Sequence, residues 1–478
     1  MMRPGLTLLG FGFFALFFAD LEFTTPTTLN ELAALLEGAL HPVIETSSSL
    51  NQAILNTLSF ALIGTAWGAF TGGILSIGYN WRIMKIFVSC LRSIHELFWA
   101  FLLLPIFGLT PLCGVLAIAI PFAGIFAKVY AEMFEEAQQA AQVELSKETT
   151  QISRFLYVWL PELWPEIKHY TSYRFECALR SSAVLGFIGL PTLGYHLETW
   201  FREGDYGRAF FLLYLFYLII ASLKLWARPK LLPWAVFLVW FTLPWDSQFS
   251  FDRLHTYFTQ DLVPWPLRQG EGWNGLFGWV SHLVRDQAVE GVWTTLIISQ
   301  LALAITAVIG LLGYPLVNRQ FVGPWTKKLN QLISVVLRST PEYLLAYLFL
   351  LALGPSMLPA VIALSLHNGA IMAHLTSQRS VQSVDFWSQK SLNRYTYESL
   401  PRVWGQFLAF LAYRWEVIVR ETAILGFLGI YTLGFYVDSA FVFNRYDEAL
   451  FLIAIAAILN LSVDQIGRRL RRQLQGPA

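Results

Sequence analysis

The chain has 478 residues, of which 55% are hydrophobic, 16% aromatic and only 14% charged. Soluble domains carry about 25% charged residues, so this composition excludes an ordinary soluble domain and indicates a membrane protein. A net charge of +1 says nothing by itself about nucleic acid, and no such partner is expected; what matters is where the charges sit. The three cysteines, Cys90, Cys113 and Cys177, lie in apolar segments without metal-ligand spacing and read as small core residues.

A spanning helix needs roughly 17–25 mostly apolar residues, and twelve such segments are expected, six per half. In the first half they run over 6–19, 50–79, 86–107, 112–134, 163–185 and 209–225. In the second they run over 231–245, 289–317, 332–353, 357–375, 403–425 and 449–461. The first follows Arg3 but has no small-residue cleavage site after it, so it is expected as a retained helix rather than a signal peptide. The fold class is therefore all-α and polytopic, with halves at 1–225 and 226–478.

Charge bias sets the expected orientation. The stretch from Asp20 to Asn51 has five carboxylates and no Lys or Arg, whereas Arg82, Lys85, Lys224, Arg228, Lys230 and the closing Arg468, Arg469, Arg471 and Arg472 are cationic. Positive-inside reasoning puts both termini and the joining segment in the cytoplasm.

One block occurs twice. Tyr173-Arg174-Phe175-Glu176, followed by Arg180 and Leu185-Gly186-Phe187-Ile188-Gly189, returns as Tyr413-Arg414-Trp415-Glu416, Arg420 and Leu425-Gly426-Phe427-Leu428-Gly429. The offset is 240 throughout (413 − 173 and 429 − 189). Leu160-Pro161 and Leu400-Pro401 keep that offset, while Leu91-Arg92-Ser93 and Glu96 match Leu337-Arg338-Ser339 and Glu342 at 246 (338 − 92). A duplicated and fused six-helix unit, with parallel repeats, explains both offsets.

Between the fourth and fifth spans each half carries a polar, helix-compatible stretch, 135–155 and 379–395, leading into Leu-Pro. It reads either as a solvated loop or as a docking helix for another protein. No Gly-x-x-x-x-Gly-Lys-Ser/Thr occurs, so the chain lacks a Walker-type phosphate loop.

With these motifs assembled, the chain resembles the permease subunit of type I ABC importers, phosphonate-type branch, over about 57–207 and 295–447. The resemblance rests on the EAA-type loop before Leu-Pro, the Arg-Ser-x-x-Glu motif and the Tyr-Arg-x-Glu-x-x-x-Arg-x-x-x-x-Leu-Gly-x-x-Gly block. It implies ATP-driven import of phosphonate or a related phosphorus oxyanion by alternating access, with two ATPase subunits on cytoplasmic loops. It also implies an external solute-binding protein, a lipid membrane around the chain, a small anionic substrate, and bacterial inner-membrane location. By the same resemblance no cofactor is expected in this chain, ATP and magnesium being held by the ATPase, and the chain is not expected to be an enzyme itself. The loop residues expected at that contact are Gln142, Glu144, Glu148, Gln382, Asp385 and Ser388. Departures are the eroded Glu-Ala-Ala, His95 in place of the proline retained as Pro341, and Pro121 where the second half has His367. Methionine, betaine and thiamine permeases share this loop and glycine logic. A secondary transporter with parallel repeats is the reading from another class.

Charges inside the spans carry the site expectation. An unpaired arginine at the centre of a span costs about 3 kcal/mol on insertion scales, so these side chains must face protein or water. Glu176–Arg180 and Glu416–Arg420, spaced i,i+4, are expected as structural ion pairs. Arg174 and Arg414 are the candidates for an anion, because planar guanidinium donors can engage two oxygens at once. Arg92 and Arg338 read as anchors or as lining of the inner mouth, and His367 as a bundle histidine or a proton-handling group.

Overall fold

The computed structural model describes residues 10–22, 28–141, 150, 153, 155–227, 231–243, 245, 249–318, 321–380, 393 and 395–475. Helices α1 (10–16), α2 (Thr28–Leu40), α3 (Ser48–Ile77), α4 (Arg82–Ser93), α5 (Glu96–Phe107) and α6 (Pro111–Ala141) come first. Helices α7 (Leu160–Val184), α8 (Leu193–Arg202), α9 (Tyr206–Trp226) and α10 (Leu232–Trp240) follow. The short α11 (Phe251–Thr256), α12 (Trp265–Arg268) and α13 (Gly272–Leu283) lead to α14 (Val289–Val317). Then come α15 (Pro324–Ser339), α16 (Glu342–Leu353), α17 (Met357–Ser380), α18 (Leu400–Leu425), α19 (Leu433–Val442) and α20 (Tyr446–Gln475). No strand occurs among the described residues, as hydrocarbon demands of any span that is not a closed barrel.

Six helices are long and apolar enough to cross a membrane, and the number reaches ten when four bent pairs are each taken as one span. These ten coincide with ten of the twelve apolar segments. The remaining two contain the shorter α1 and the nine-residue α10.

The segments at 86–107 and 332–353, expected as straight spans, are sharply broken. Helices α4 and α5 meet at 90°, and α15 and α16 at 94°. In the second half the cause is Pro341, which excludes the α region for Thr340 (ψ 124°) and so ends the helix. In the first half Ile94 and His95 are extended, and His95 Nδ1 accepts from Leu97 N at 3.1 Å, capping α5. A capping side chain and a proline thus make the same corner.

The chain packs as two compact units, Leu35–Phe258 and a second combining Met1–Ala34 with Thr259–Ala478. In the first unit α3 lies against α6 along a glycine stripe. A Cβ at Gly64, Gly68 or Gly72 would stand 2.9, 2.7 or 2.5 Å from the Cβ of Ile118, Phe122 or Phe126. Such small-residue stripes let backbones approach where no hydrophobic force drives helices together. The start of α9 is tied to the segment before α3, through Val43 N to Gly207 O (3.1 Å) and Arg208 to Glu45 (3.2 Å). In the second unit Asp447, at the start of α20, accepts from Trp265 N (2.7 Å) and Arg268 (3.4 Å).

The spaced glycines of the repeated block form a second corner, where α7 turns into α8 by 52° and α18 into α19 by 46°. Gly189 (φ +90°) and Gly429 (φ +82°) adopt left-handed backbone there, which residues with a Cβ disfavour. A Cβ at Gly194 would fall on the Ala183 carbonyl, and one at Gly434 on the Ala423 carbonyl. Thr57 Oγ1 and Thr295 Oγ1 accept from Leu193 N (2.8 Å) and Leu433 N (3.3 Å), pinning the corner to α3 and α14. Gly194→Ala and Gly434→Ala must each push backbone from backbone, so each is expected to lower the melting temperature of the detergent-purified chain steeply. A loss of about 3 kcal/mol or more is the scale of such clashes. Gly73→Ala, in open space, serves as the control and should leave it unchanged.

Candidate functional site

The charges of the repeated block meet the corner between α15 and α16. Glu342 is the first residue of α16 and points its carboxylate at His367 of α17, with Oε1 2.8 Å from Nε2. The other ring nitrogen, Nδ1, faces the Leu337 and Thr340 carbonyls at 3.1 and 3.0 Å. A carbonyl only accepts, so Nδ1 carries a proton. Nε2 then meets Glu342 either as an imidazolium or as the acceptor of a carboxyl proton.

Glu421 of α18 reaches the same corner. It lies close enough to Glu342 for the two carboxyl groups to interact. Its Oε2 also accepts from Asn368 Nδ2 at 3.1 Å, while Asn368 Oδ1 accepts from Arg414 Nη1 at 3.3 Å. Asn368 is fully buried. Its amide therefore bridges a cation and an acid on the same helix α18, accepting from Arg414 and donating to Glu421, while Nδ2 also meets the Leu364 carbonyl at 3.0 Å.

The first half builds the corner with different side chains at matching positions. Glu96, equivalent to Glu342, accepts from Ser181 Oγ at 2.6 Å, and Ser181 is equivalent to Glu421 (421 − 181 = 240). Phe122 stands where the second half has Asn368 (368 − 122 = 246). Accordingly Arg174 stacks on Phe122 and Tyr170, its guanidinium carbon 5.2 and 5.8 Å from the ring centroids. A cation–π contact replaces a hydrogen bond at one spot.

The histidine has changed element. Pro341 and His367 in the second half correspond to His95 and Pro121 in the first (341 − 95 = 246 and 367 − 121 = 246). His95 Nε2 stands 3.7 Å from Glu96 Oε2. Each half thus sets one imidazole beside the corner glutamate, from the corner itself in one case and from the neighbouring helix in the other.

Of the candidates read from sequence, the structure brings Arg414 and His367 into one network and places Arg174 at its counterpart. Arg92 and Arg338 close α4 and α15 just before the corners. Arg92 is buried at 7% exposure, which sets it apart from a headgroup anchor. Arg180 directs Nη2 at Cys177 Sγ, 3.6 Å away, and Glu176, Glu416 and Arg420 are half-buried on the same helices. Gln142, Glu144, Glu148, Gln382, Asp385 and Ser388 lie outside the described residues. Asn368, Glu421, Ser181 and the corner role of Glu96 and Glu342 were not singled out from sequence. The signal was present in one case: Glu421 is an intramembrane carboxylate whose repeat position holds serine.

Asn368→Leu removes the bridge between Arg414 and Glu421, and hydrogen bonds to charged groups are worth about 1.5–3 kcal/mol. The purified variant is expected to melt lower by a corresponding amount. His95→Pro should keep the first corner but remove the imidazole beside Glu96 and so lower the melting temperature, and adding Pro121→His should restore part of the loss. Equal melting temperatures for the single and double variants would dissociate the two positions.

Comparison with known proteins supplies the class. Over 509 aligned positions, 94% of this chain and 91% of the relative, it is 22% identical to the phosphate-import permease protein PhnE of Mycolicibacterium smegmatis. It is 26% identical over 42% of its length to the phosphite transport system permease protein PtxC of Stutzerimonas stutzeri, covering 73% of that protein. A putative phosphite transport system permease protein of the same organism, HtxE, is 31% identical over 30% of this chain and 57% of its own length. No family model and no solved structure matches the chain. The alignment with the mycobacterial permease runs through both repeats, so the chain is similar along most of its length to a phosphate-import permease and over shorter stretches to phosphite permeases, consistent with two permease halves in one polypeptide.

Proposed function

We propose that this chain is the membrane permease of an ATP-driven importer for a phosphorus oxyanion, phosphonate or a close relative, working by alternating access in the bacterial inner membrane. The observation that carries the reading is similarity to a phosphate-import permease across 94% of the chain, with an arginine retained at the same place in each half. Arg174 and Arg414 give the passing anion a brief electrostatic foothold, since a guanidinium can engage two phosphoryl oxygens. A path must also release its cargo, so selectivity rests with an external solute-binding protein. Both termini lie in the cytoplasm. Two ATPase subunits, holding ATP and magnesium, dock at the polar stretches containing Gln142, Glu144 and Glu148, and Gln382, Asp385 and Ser388. Glu176–Arg180 and Glu416–Arg420 brace their helices, Arg92 and Arg338 line the inner mouth, and His367 orients Glu342.

Among rivals, an importer of another small solute fits the same architecture. Broken helices occur here as they do in carriers driven by an ion gradient, but such a carrier is less favoured because its intramembrane carboxylate must be free to take and release a coupling ion. Here Glu421 is engaged by Asn368 and Glu342. Reconstituted in liposomes with its ATPase and binding protein, the chain should accumulate phosphonate only when ATP is supplied. Uptake without ATPase and ATP would overturn the reading. Arg414→Ala should reduce uptake at least tenfold while the complex still co-purifies, and near-normal uptake would make Arg414 structural.

A further inference from the structure

Each half carries one amphipathic helix whose exposed apolar face the transport reading leaves without a task. Helix α4 has 12 residues and α15 has 16. At 1.5 Å per residue these are about 18 and 24 Å long, short of a hydrocarbon layer of about 30 Å. Each turns through about a right angle into an apolar helix, at 90° and 94°. Neither continues its partner as a straight span.

One side of each helix is held. A Cβ at Gly124 of α6 would stand 3.0 Å from Val88 O and Arg92 N of α4. At the equivalent place Ser334 Oγ of α15 bonds Ala370 O of α17 at 3.3 Å. The opposite side is bare and apolar. Ile83, Ile86 and Phe87 are 82%, 57% and 49% exposed, and Leu329, Leu332 and Ile333 are 59%, 61% and 48% exposed. These are the same three positions of the repeat (329 − 83 = 246, 332 − 86 = 246, 333 − 87 = 246).

The charge pattern repeats as well. Neither helix contains Asp or Glu. Arg82 and Lys328 are equivalent (328 − 82 = 246), and both are exposed. An aromatic ring at equivalent positions, Tyr79 and Trp325, lies under an ammonium group in each half: Lys85 at 5.7 Å and Lys328 at 5.3 Å. Tyr and Trp suit the level of the headgroups, and basic residues beside an apolar stripe are attracted to anionic lipid.

We propose that α4 and α15 lie in the plane of the cytoplasmic leaflet, with their apolar stripes among acyl chains and Arg82, Lys85 and Lys328 on anionic phospholipid headgroups. The corner glutamates Glu96 and Glu342 begin the helices that follow, so lipid contact steadies the element on which each polar network is built. The inference rests on the membrane-permease reading for the leaflet.

The full chain, with its native cysteines replaced and Leu332→Cys carrying an environment-sensitive fluorophore, tests the location in phosphatidylcholine vesicles with and without phosphatidylglycerol. Quenching by lipid spin-labelled near the headgroup should exceed quenching by lipid labelled near the acyl end, and aqueous iodide should have little effect. In lipid co-purification, Arg82→Gln, Lys85→Gln and Lys328→Gln should each lower phosphatidylglycerol enrichment, roughly fivefold per cation at about 1 kcal/mol each. A water-exposed label, maximal quenching from the bilayer centre, shielding only after ATPase is added, or unchanged enrichment in all three variants would overturn the proposal. Transport is not read in these measurements, so failure of the uptake experiment overturns the permease reading separately.

Discussion

Hydrocarbon offers no partner to a polar group, so every charge written into a spanning helix must be answered by the protein or by water. In the second half the answer is a single amide. Asn368 donates to Glu421 and accepts from Arg414, while Glu342 joins Glu421 to His367. Four helices, α15 through α18, contribute a backbone carbonyl or a side chain to this chain of contacts. Breaking one member leaves the others in a low-dielectric site where an unpaired polar group is costly.

The corner at Thr340–Pro341 makes the network possible. It stops α15, frees its last carbonyls to accept from His367, and turns Glu342 inward at the head of α16. The first half reaches the same corner without proline, by capping α5 with His95. That substitution moves an imidazole to the corner, and Pro121 occupies the position of His367 without loss of a partner for Glu96, which is bound by Ser181. The duplicated halves have therefore kept a geometry while exchanging the residues that produce it. Arg174 on Phe122 and Arg414 on Asn368 show the same drift, one apolar and one polar.

Much of this was legible in the sequence. The hydrophobic segments coincide with the ten helices or bent helix pairs long and apolar enough to cross a membrane, and the offsets of 240 and 246 paired positions that take matching places in the two halves, down to Ser181 with Glu421 and Phe122 with Asn368. The repeated Leu-Gly-x-x-Gly ending of the block stands in the sequence. Its nature, a helix corner where backbone meets backbone, emerges only in the folded chain. The sharp breaks within 86–107 and 332–353 were not read, because a continuous apolar run looks alike whether it crosses straight or turns.

By itself the sequence determined the all-helical membrane class, the duplication and the places where charge enters the spans, since hydrophobicity and repeat register are local properties of the chain. Tertiary structure alone decided which groups answer those charges. Asn368 and Arg414 are 46 residues apart, and Ser181 and Glu96 are 85 apart. Contacts across such separations depend on how helices cross and where they bend, and no local pattern encodes them.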